Sequence, residues 1–420
     1  MSKQQSLPFE SAKPTGITQP NRNSQPSAQT ALTALTAAAA LLPGLSSTSA
    51  EATQIADQYE FGYKHHQYDE EVIAAEDSLS GESERYDIDV HQFRLVAPVS
   101  DSVQINLDYQ TEKMSGASPW YTFLLPSGKT VQVMSGASIA DQRTDVAGQL
   151  SYFWEQQVAG ITIARSKEDD YDSLAVGVNF TMDSEDRLNT YSIGFDVSND
   201  DIYAVDIDRY PLRPQEPQSK RSQSVIASFA RVLNKHTVVK FNLGYSAKSG
   251  YLSDPYKLTF VDYQLQADTR PSSRYANTAA VQLRYYNDTL QGALHVDYRY
   301  YRDSWSITSN TIDIAWYQNL GFGIQLTPSI RLYEQSAAYF YQHFYQQVQA
   351  NGFHSNDYRL SEYGAVTYGL KLTKQWQDWQ FNISAERYYS GGNVGLANSA
   401  SENPALIDFE LVSVGFNVKF

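Results

Sequence analysis

The strongest constraint on the fold is a two-residue alternation of apolar and polar side chains, which recurs along most of the chain after residue 52. It is clearest at the C-terminal end, where one face of an extended strand would hold Val412, Val414, Phe416, Val418 and Phe420. The positions between them hold Ser, Gly, Asn and Lys. Because successive side chains of a β-strand point to opposite faces, this pattern predicts strands that are apolar on one side and polar on the other.

The connections between the alternating segments are of two kinds, which take turns along the chain. Short connections are predicted at 98–102, 157–159, 183–186, 234–235, 287–289, 320–321 and 375–378. Longer or more acidic ones are predicted at 69–84, 115–142, 168–172, 199–220, 249–274, 334–356 and 391–404. The connection at 303–304 is short where a long one is due. Counting the segments between them gives about 16 strands, from 58–67 to Phe420.

An even number of strands of about 10 residues, with short turns at one end and long loops at the other, is typical of a membrane barrel. The predicted fold class is therefore all-β: a transmembrane antiparallel up-and-down β-barrel with short periplasmic turns and longer extracellular loops. A soluble β-sandwich also alternates, but its strands are mostly about 5 to 6 residues long. Aromatic residues near the strand ends are predicted to form the interfacial girdles: Trp305, Trp316, Tyr317, Trp376, Trp379, Tyr388 and Tyr389.

The N-terminal segment predicts export. Residues 31–45 form a sustained apolar run followed by small residues. The run is too short to span a bilayer as a helix, which needs roughly 20 residues, but it is typical of a secretory signal peptide. We predict a signal peptide over 1–50, cleaved near Ala50 or Ala52, and a single barrel domain over 51–420 in the bacterial outer membrane after Sec-type export. A short buried helix is the alternative interpretation of the run.

Composition excludes several kinds of site. The chain has no Cys, which excludes disulfides, Cys-ligated metals and a Cys nucleophile. The net charge of -15 disfavours a nucleic-acid partner, which needs a basic face. The methionines and histidines lack a metal-binding spacing, so no cofactor or resident metal is predicted. Acidic stretches such as 69–71, 76–77 and 168–170 could bind divalent cations that bridge lipopolysaccharide, or could simply be solvated.

The pentapeptide Met-Ser-Gly-Ala-Ser occurs twice in one connection, at 114–118 and 134–138. A nucleophile elbow needs Gly-x-Ser-x-Gly, and no glycine closes either copy, so these serines are not predicted to be catalytic. The segment between the copies is apolar and contains a Pro-Ser-Gly-Lys turn, which predicts a hairpin with the two copies at its base. We expect loop 114–142 to fold into the lumen as a constriction, or to dock on a neighbouring loop. The predicted constriction residues are Met114, Ser115, Gly116, Ala117, Ser118, Trp120, Met134, Ser135, Gly136, Ala137 and Ser138.

Charged residues share the polar phase of the predicted strands and are expected to line the lumen. The basic members are Lys240, Arg284, Arg299, Arg331 and Lys371. The acidic members are Asp108, Asp196, Asp297, Asp313 and Glu386. They predict either a pore wall that selects solutes by charge or a ladder of cross-strand ion pairs that fixes the strand register.

Two features of the sequence resemble known protein families. An alternating last strand that ends in Phe420 resembles the C-terminal signature of bacterial outer-membrane barrels, which the insertion machinery reads. The doubled Ser-Gly-Ala-Ser, together with 141–143, 168–171 and 386–388, is similar to a family of exported bacterial proteins of unknown function. The resemblance implies a porin-like barrel whose partners are outer-membrane lipid, lipopolysaccharide and the barrel insertion machinery.

Three functions are compatible with this architecture. A barrel of this size can leave an aqueous lumen, which favours a porin-like channel, or the barrel part of a transport system, for small polar solutes and without catalysis. The alternative is a plugged barrel that acts as a receptor or scaffold for a periplasmic or surface partner. The third is an outer-membrane hydrolase, whose activity would depend on one serine or carboxylate.

Overall fold

A computed structural model describes residues 53–135, 139–262, 264–399 and 403–420. Within these ranges the chain forms 21 β-strands and one short 3-10 helix, Tyr358–Leu360, and no helix is long and apolar enough to cross a membrane. The strands are β1 (Glu60–Glu70), β2 (Ser78–Ser80), β3 (Asp87–Ser100), β4 (Val103–Gly116), β5 (Pro119–Leu124), β6 (Thr130–Met134), β7 (Ile139–Trp154), β8 (Gln157–Lys167), β9 (Tyr171–Asp183), β10 (Asn189–Ile202), β11 (Gln218–Asn234), β12 (Thr237–Gly250), β13 (Leu258–Val261), β14 (Gln264–Ala267), β15 (Ser273–Asn287), β16 (Gly292–Asp303), β17 (Thr308–Gly321), β18 (Ile324–Gln335), β19 (Tyr363–Trp376), β20 (Trp379–Gly391) and β21 (Phe409–Lys419).

Sixteen of the described strands close into one barrel, and β1 completes the ring by pairing antiparallel with β21. The order around the barrel follows the order along the chain once β2, β5, β6, β13 and β14 are set aside. One end, the turn end, carries short connections such as 101–102, 155–156 and 377–378. The other end, the loop end, carries longer ones, including 251–272 and 336–362. The predicted all-β up-and-down barrel of about 16 strands is confirmed.

The two sides of the barrel wall differ in the way that the alternation predicts. Large apolar side chains remain exposed on the outside, among them Leu243 at 65%, Ile163 at 55% and Leu370 at 53%. The neighbouring inward position on β12, Asn242, is 4% exposed and accepts a hydrogen bond from Ser228 at 2.7 Å. An outer surface of this kind is stable against hydrocarbon, since every backbone group of a closed barrel is already hydrogen-bonded to a neighbouring strand.

Three of the seven aromatic residues assigned to the girdles do not lie on the outer surface: Trp305, Tyr317 and Tyr388. The first is only 3% exposed and packs edge-on against Phe340, with ring centroids 5.2 Å apart, because loop 336–362 covers it. The girdle prediction is therefore wrong at these positions. At the turn end, Trp376 and Trp379 are 61% and 38% exposed, as an interfacial position requires.

The loop end carries two small additional sheets. Strands β5 and β6 form an antiparallel hairpin, and β2 pairs parallel with β6 to make a three-stranded sheet. Strands β13 and β14 form a second hairpin within loop 251–272. These sheets bring segments that are far apart in the sequence together at one end of the barrel, where the candidate site lies.

Candidate functional site

Three loops at the loop end pack on one another, and we call them the mouth loops: 117–138, 251–272 and 336–362. The Lys257 ammonium group of the second loop donates a hydrogen bond of 2.8 Å to the carbonyl oxygen of Pro119 in the first. The second and third loops are joined by a pair of backbone hydrogen bonds between Thr269 and His354, of 3.0 and 2.9 Å. Tyr345 is fully buried among them. The described parts of the three loops therefore form one packed assembly.

A buried network of charged side chains connects the second and third mouth loops. Its acidic members are Asp254, Asp268 and Asp357, and its basic members are Lys257, Arg270 and Arg359. The carboxylate of Asp357 accepts hydrogen bonds from the guanidinium groups of Arg270 at 2.8 Å and Arg359 at 2.9 Å. Burial alone would raise the pKa of Asp357, but the three cations around it hold that pKa well below its ordinary value.

The two copies of the doubled pentapeptide meet at the base of the β5–β6 hairpin. The backbone N–H of Ser135 donates to the carbonyl oxygen of Ser118 at 2.9 Å, and the Ser118 N–H donates to the Ser135 hydroxyl at 3.0 Å. Both serines are 5% exposed. Met134 and Ala117 belong to one small buried apolar cluster with Ile73. The Ser135 hydroxyl and the Ser118 backbone thus take part in closing a hairpin.

The remaining motif residues also serve packing. Met114 lies at the end of β4 in a buried cluster of aromatic and apolar side chains, and Ser115 pairs with Asp87 of β3. Gly116 has a φ of +134°, and a Cβ at this position would collide with the backbone of Arg85 and Tyr86, just before β3. The ring of Trp120 meets Tyr210 edge-on, with centroids 5.6 Å apart. The predicted residues Gly136, Ala137 and Ser138 lie outside the described residues.

The ten charged residues predicted for the lumen all lie on the side of the wall opposite the exposed apolar side chains: Lys240, Arg284, Arg299, Arg331, Lys371, Asp108, Asp196, Asp297, Asp313 and Glu386. The structure pairs some of them across strands. Arg284 binds both carboxylate oxygens of Asp297, and Arg331 binds Asp313. Asp108 pairs instead with Arg94, at 3.8 Å.

A second group of carboxylates lies at the loop end beside β7 and β8. Oxygen atoms of Asp141, Glu168 and Asp170 lie within 4.8 Å of one another. Arg143 is the nearby cation, 3.7 Å from Glu168. Burial, and then the neighbouring carboxylate of Asp141, raise the pKa of Glu168 to about 8. Glu168 therefore keeps its proton at pH values at which an exposed glutamate is ionised.

One group on the outer surface has the composition of a metal site. His65 Nε2 lies 2.9 Å and His91 Nε2 lies 2.8 Å from the two carboxylate oxygens of Asp89, and the three residues are close enough to share an ion. Two imidazoles and a carboxylate are a ligand set that zinc accepts. The same atoms already satisfy one another by hydrogen bonding, and Tyr63 bonds to Nδ1 of His91 at 2.8 Å.

The charged network of the mouth loops is the part of the site that sequence reasoning missed. Its members lie in segments without periodicity, and Asp254 and Arg359 are 105 positions apart in the chain. A partial signal existed, because Asp268 and Arg270, and again Asp357 and Arg359, are acid and base two positions apart inside long loops. Such pairs are common on solvated surfaces, so the signal predicts no burial.

Comparisons with known proteins identify the family and the fold. The family described as "Protein of unknown function (DUF3570)" matches residues 32–401, and the chain belongs to it. No curated protein matches the sequence.

Among solved structures, CdiB from Acinetobacter baumannii aligns with a TM-score of 0.50 and 7% identity, over 87% of this chain and 60% of that one. A bacterial polysaccharide outer membrane secretin aligns with a TM-score of 0.45 and 8% identity, over 87% and 100% of the two chains. A BenF-like porin from Pseudomonas fluorescens aligns with a TM-score of 0.42 and 8% identity, over 87% and 100%. At these identities the likeness concerns the fold alone.

Proposed function

We propose that this member of the DUF3570 family is a porin-like channel of the bacterial outer membrane, or the barrel part of a transport system, for small polar solutes. In this proposal residues 1–50 direct Sec-type export, and the insertion machinery places the barrel in the membrane. The turn end faces the periplasm, and the loop end faces the outside and the surrounding lipopolysaccharide. The barrel transports without catalysis.

The observation that carries the proposal is the chemistry of the inner wall. Charged and polar side chains occupy the inward positions of the strands, while the outward positions keep their large apolar side chains exposed. An inner surface with ion pairs such as Arg284–Asp297 and Arg331–Asp313, both partly exposed, is stable in contact with water. A water-filled lumen of this kind is what a channel for polar solutes needs.

The mouth loops supply the gate in this proposal. Their described residues hold one another by hydrogen bonds and a buried ion network, so they open as a unit or remain closed as a unit. The β5–β6 hairpin is tied to the rest through Lys257 and through the parallel pairing of β2 with β6. Removing the hairpin therefore takes away one wall of the assembly without touching a barrel strand.

Planar-bilayer conductance of the refolded full-length protein tests the proposal. The intact chain should give discrete single-channel steps, and replacing residues 118–134 by a short glycine linker should raise the conductance or the open fraction. Ser127→Ala, at the exposed tip of the same hairpin, is the matched control and should behave as the intact chain. A protein that keeps its heat-modifiable β-structure but gives no steps with or without the hairpin would rule out the channel.

The interlocked mouth loops also support a second candidate, a plugged barrel that serves as a receptor or scaffold. The contacts of Asp357 with Arg270 and of Thr269 with His354 hold the loops together in one closed arrangement. This candidate expects silence in the bilayer together with capture of a periplasmic or surface partner by the intact loops. The hairpin deletion then abolishes capture and leaves conductance at zero.

A further inference from the structure

A cavity of about 410 Å³ lies between the mouth loops and the inner wall of β15 to β18. Its wall residues include Arg299 and Tyr301 of β16 and Tyr333 of β18, and its roof includes Arg359 and Leu360 of the third mouth loop. Cavities of about 300 to 1,000 Å³ are the size that small ligands occupy in proteins. The cavity is therefore large enough for one small solute on its way through the lumen.

Four arginines line this cavity, and three of them are held by aspartates: Arg270 by Asp268 and Asp357, Arg274 by Asp303, and Arg359 by Asp254 and Asp357. The fourth, Arg299, makes no ion pair and no hydrogen bond with any described residue. Its half-buried guanidinium group therefore contributes a positive charge that the described surroundings do not neutralise.

A second polar group without a partner lies beside this charge. Thr311 is directly opposite Arg299 across the β16–β17 pair, and Tyr333 is directly opposite Thr311 across the β17–β18 pair. The threonine is 5% exposed, and its hydroxyl has no hydrogen-bond partner within the described ranges. The wall next to Arg299 is therefore polar, although the threonine itself does not line the cavity.

The rest of the cavity is held in place for recognition of an anion. The guanidinium of Arg274 lies 4.5 Å from the ring centroid of Trp305 and is bonded to Asp303, which fixes its plane. The Tyr301 hydroxyl donates to the same aspartate at 2.9 Å. A guanidinium group offers parallel N–H donors that match the two oxygens of a carboxylate or phosphate.

We infer that this cavity binds small oxyanions, carboxylates or phosphate monoesters of small polar molecules, with Arg299 as the anchoring charge. The inference rests on the proposed channel function and names its substrate class, since a solute reaches the cavity through the lumen. Neutral molecules and cations of the same size lack the groups that Arg299 would hold.

Isothermal titration calorimetry of the folded full-length protein in detergent tests the site, with succinate and methyl phosphate as probes. Putrescine and 1,4-butanediol have a similar size but are cationic and neutral, and neither should bind. Arg299→Met should weaken binding of the preferred anion by about tenfold or more, the usual effect of losing a charged hydrogen-bonding group. Arg299→Lys should weaken it less, because the charge remains. The stronger of the two anions identifies the carboxylate or phosphate class.

Arg94→Met is the matched control, since Arg94 is another inner-wall arginine, but it pairs with Asp108 on the opposite part of the barrel. Its affinity for the anion should stay at the value of the intact protein. Failure of both anions to bind, or an Arg299→Met protein that binds as well as the intact one, overturns the inference. If Arg299→Met does not fold, Arg299→Gln, which keeps a polar side chain and removes the charge, provides the same decision. Binding is measured independently of conductance. Anion binding by a protein that gives no conductance would contradict the channel and support the site. Conductance without anion binding would support the channel and contradict the site.

Discussion

Replacing Asp357 with asparagine should release the mouth loops. The side chain is 1% exposed and accepts hydrogen bonds from Arg270 and Arg359, while Lys257 lies close enough to lower its pKa further. Three carboxylates and three cations balance in this network, so the substitution leaves one buried positive charge without compensation. The shape of the side chain is retained, and the effect comes from charge and hydrogen bonding alone.

The size of the effect follows from the burial of the pair. Removing one partner of a buried ion pair costs about 3 to 5 kcal/mol, because the other charge remains out of water. The penalty falls on the closed state, in which the network is dry, since the cations become solvated when the loops separate. The ratio of open to closed loops should therefore rise about 10²- to 4 × 10³-fold.

Hydrogen exchange measures this ratio without reference to transport. The amides of Thr269 and His354 bond to each other's carbonyl groups across two mouth loops, so they exchange only when those loops part. Their protection should fall about 10²- to 4 × 10³-fold in Asp357→Asn. Asp297→Asn, which breaks a partly exposed pair on the inner wall, should leave the same amides unchanged. Equal protection in Asp357→Asn and the intact protein would refute the assignment of the closed state to this network.

Three further predictions concern other parts of the chain. Gly116→Ala should lower stability by about 1 to 3 kcal/mol, because a positive φ is combined with a collision of the new Cβ with backbone atoms. Gly128→Ala, where φ is +85° and the space around the residue is open, should cost about 1 kcal/mol. The midpoints of guanidinium unfolding of the two variants measure the difference. Because the pKa of Glu168 is raised in the folded chain, the folded chain keeps a proton that the unfolded chain loses above the ordinary pKa of 4.5. Stability should therefore fall as pH rises from about 5 to about 8, by at most about 4 kcal/mol. The unfolding midpoint of Glu168→Gln should depend less on pH than that of the intact protein. Leu243→Arg, on the outer surface, should lower the stability of the barrel in the membrane by about 2 to 4 kcal/mol. Ser246→Arg, on the inner face of the same strand, should be tolerated. The fraction of each variant that folds in lipid vesicles measures the difference.

The barrel could be predicted from the sequence because its two faces meet different solvents. Leu243 and Val412 face outward and are apolar, 65% and 45% exposed, whereas their neighbours Asn242 and Ser413 face inward and are polar. Because inward and outward positions alternate along each strand, this difference gives the sequence a period of two residues. The lengths of the connections add the order of the strands, since short turns that alternate with long loops are typical of a membrane barrel whose sequential strands are neighbours.

The mouth loops could not be predicted in the same way, since their contacts follow no period. Lys257 donates to the carbonyl oxygen of Pro119, 138 positions away, and neither residue carries a pattern that indicates the other. Trp305 illustrates the same difficulty, because a tryptophan at a strand end is typical of an interface. Here Phe340, from the next long loop, packs against Trp305 and buries it. The position of this loop cannot be predicted from the sequence around the tryptophan.

The ten charged residues of the inner wall separate into different roles only when their partners are known. In the sequence they are equivalent, since all share the polar phase of their strands. In the structure, Asp297 and Asp313 form the row nearest to Arg299 on the side of the turn end, and Arg284 and Arg331 already neutralise them. Those carboxylates therefore do not compensate the charge of Arg299. Among the three arginines of this set, Arg299 alone has no ion-pair partner within the described residues, and it faces the cavity. An unpaired charge at this place favours selection of an anion over a purely structural wall.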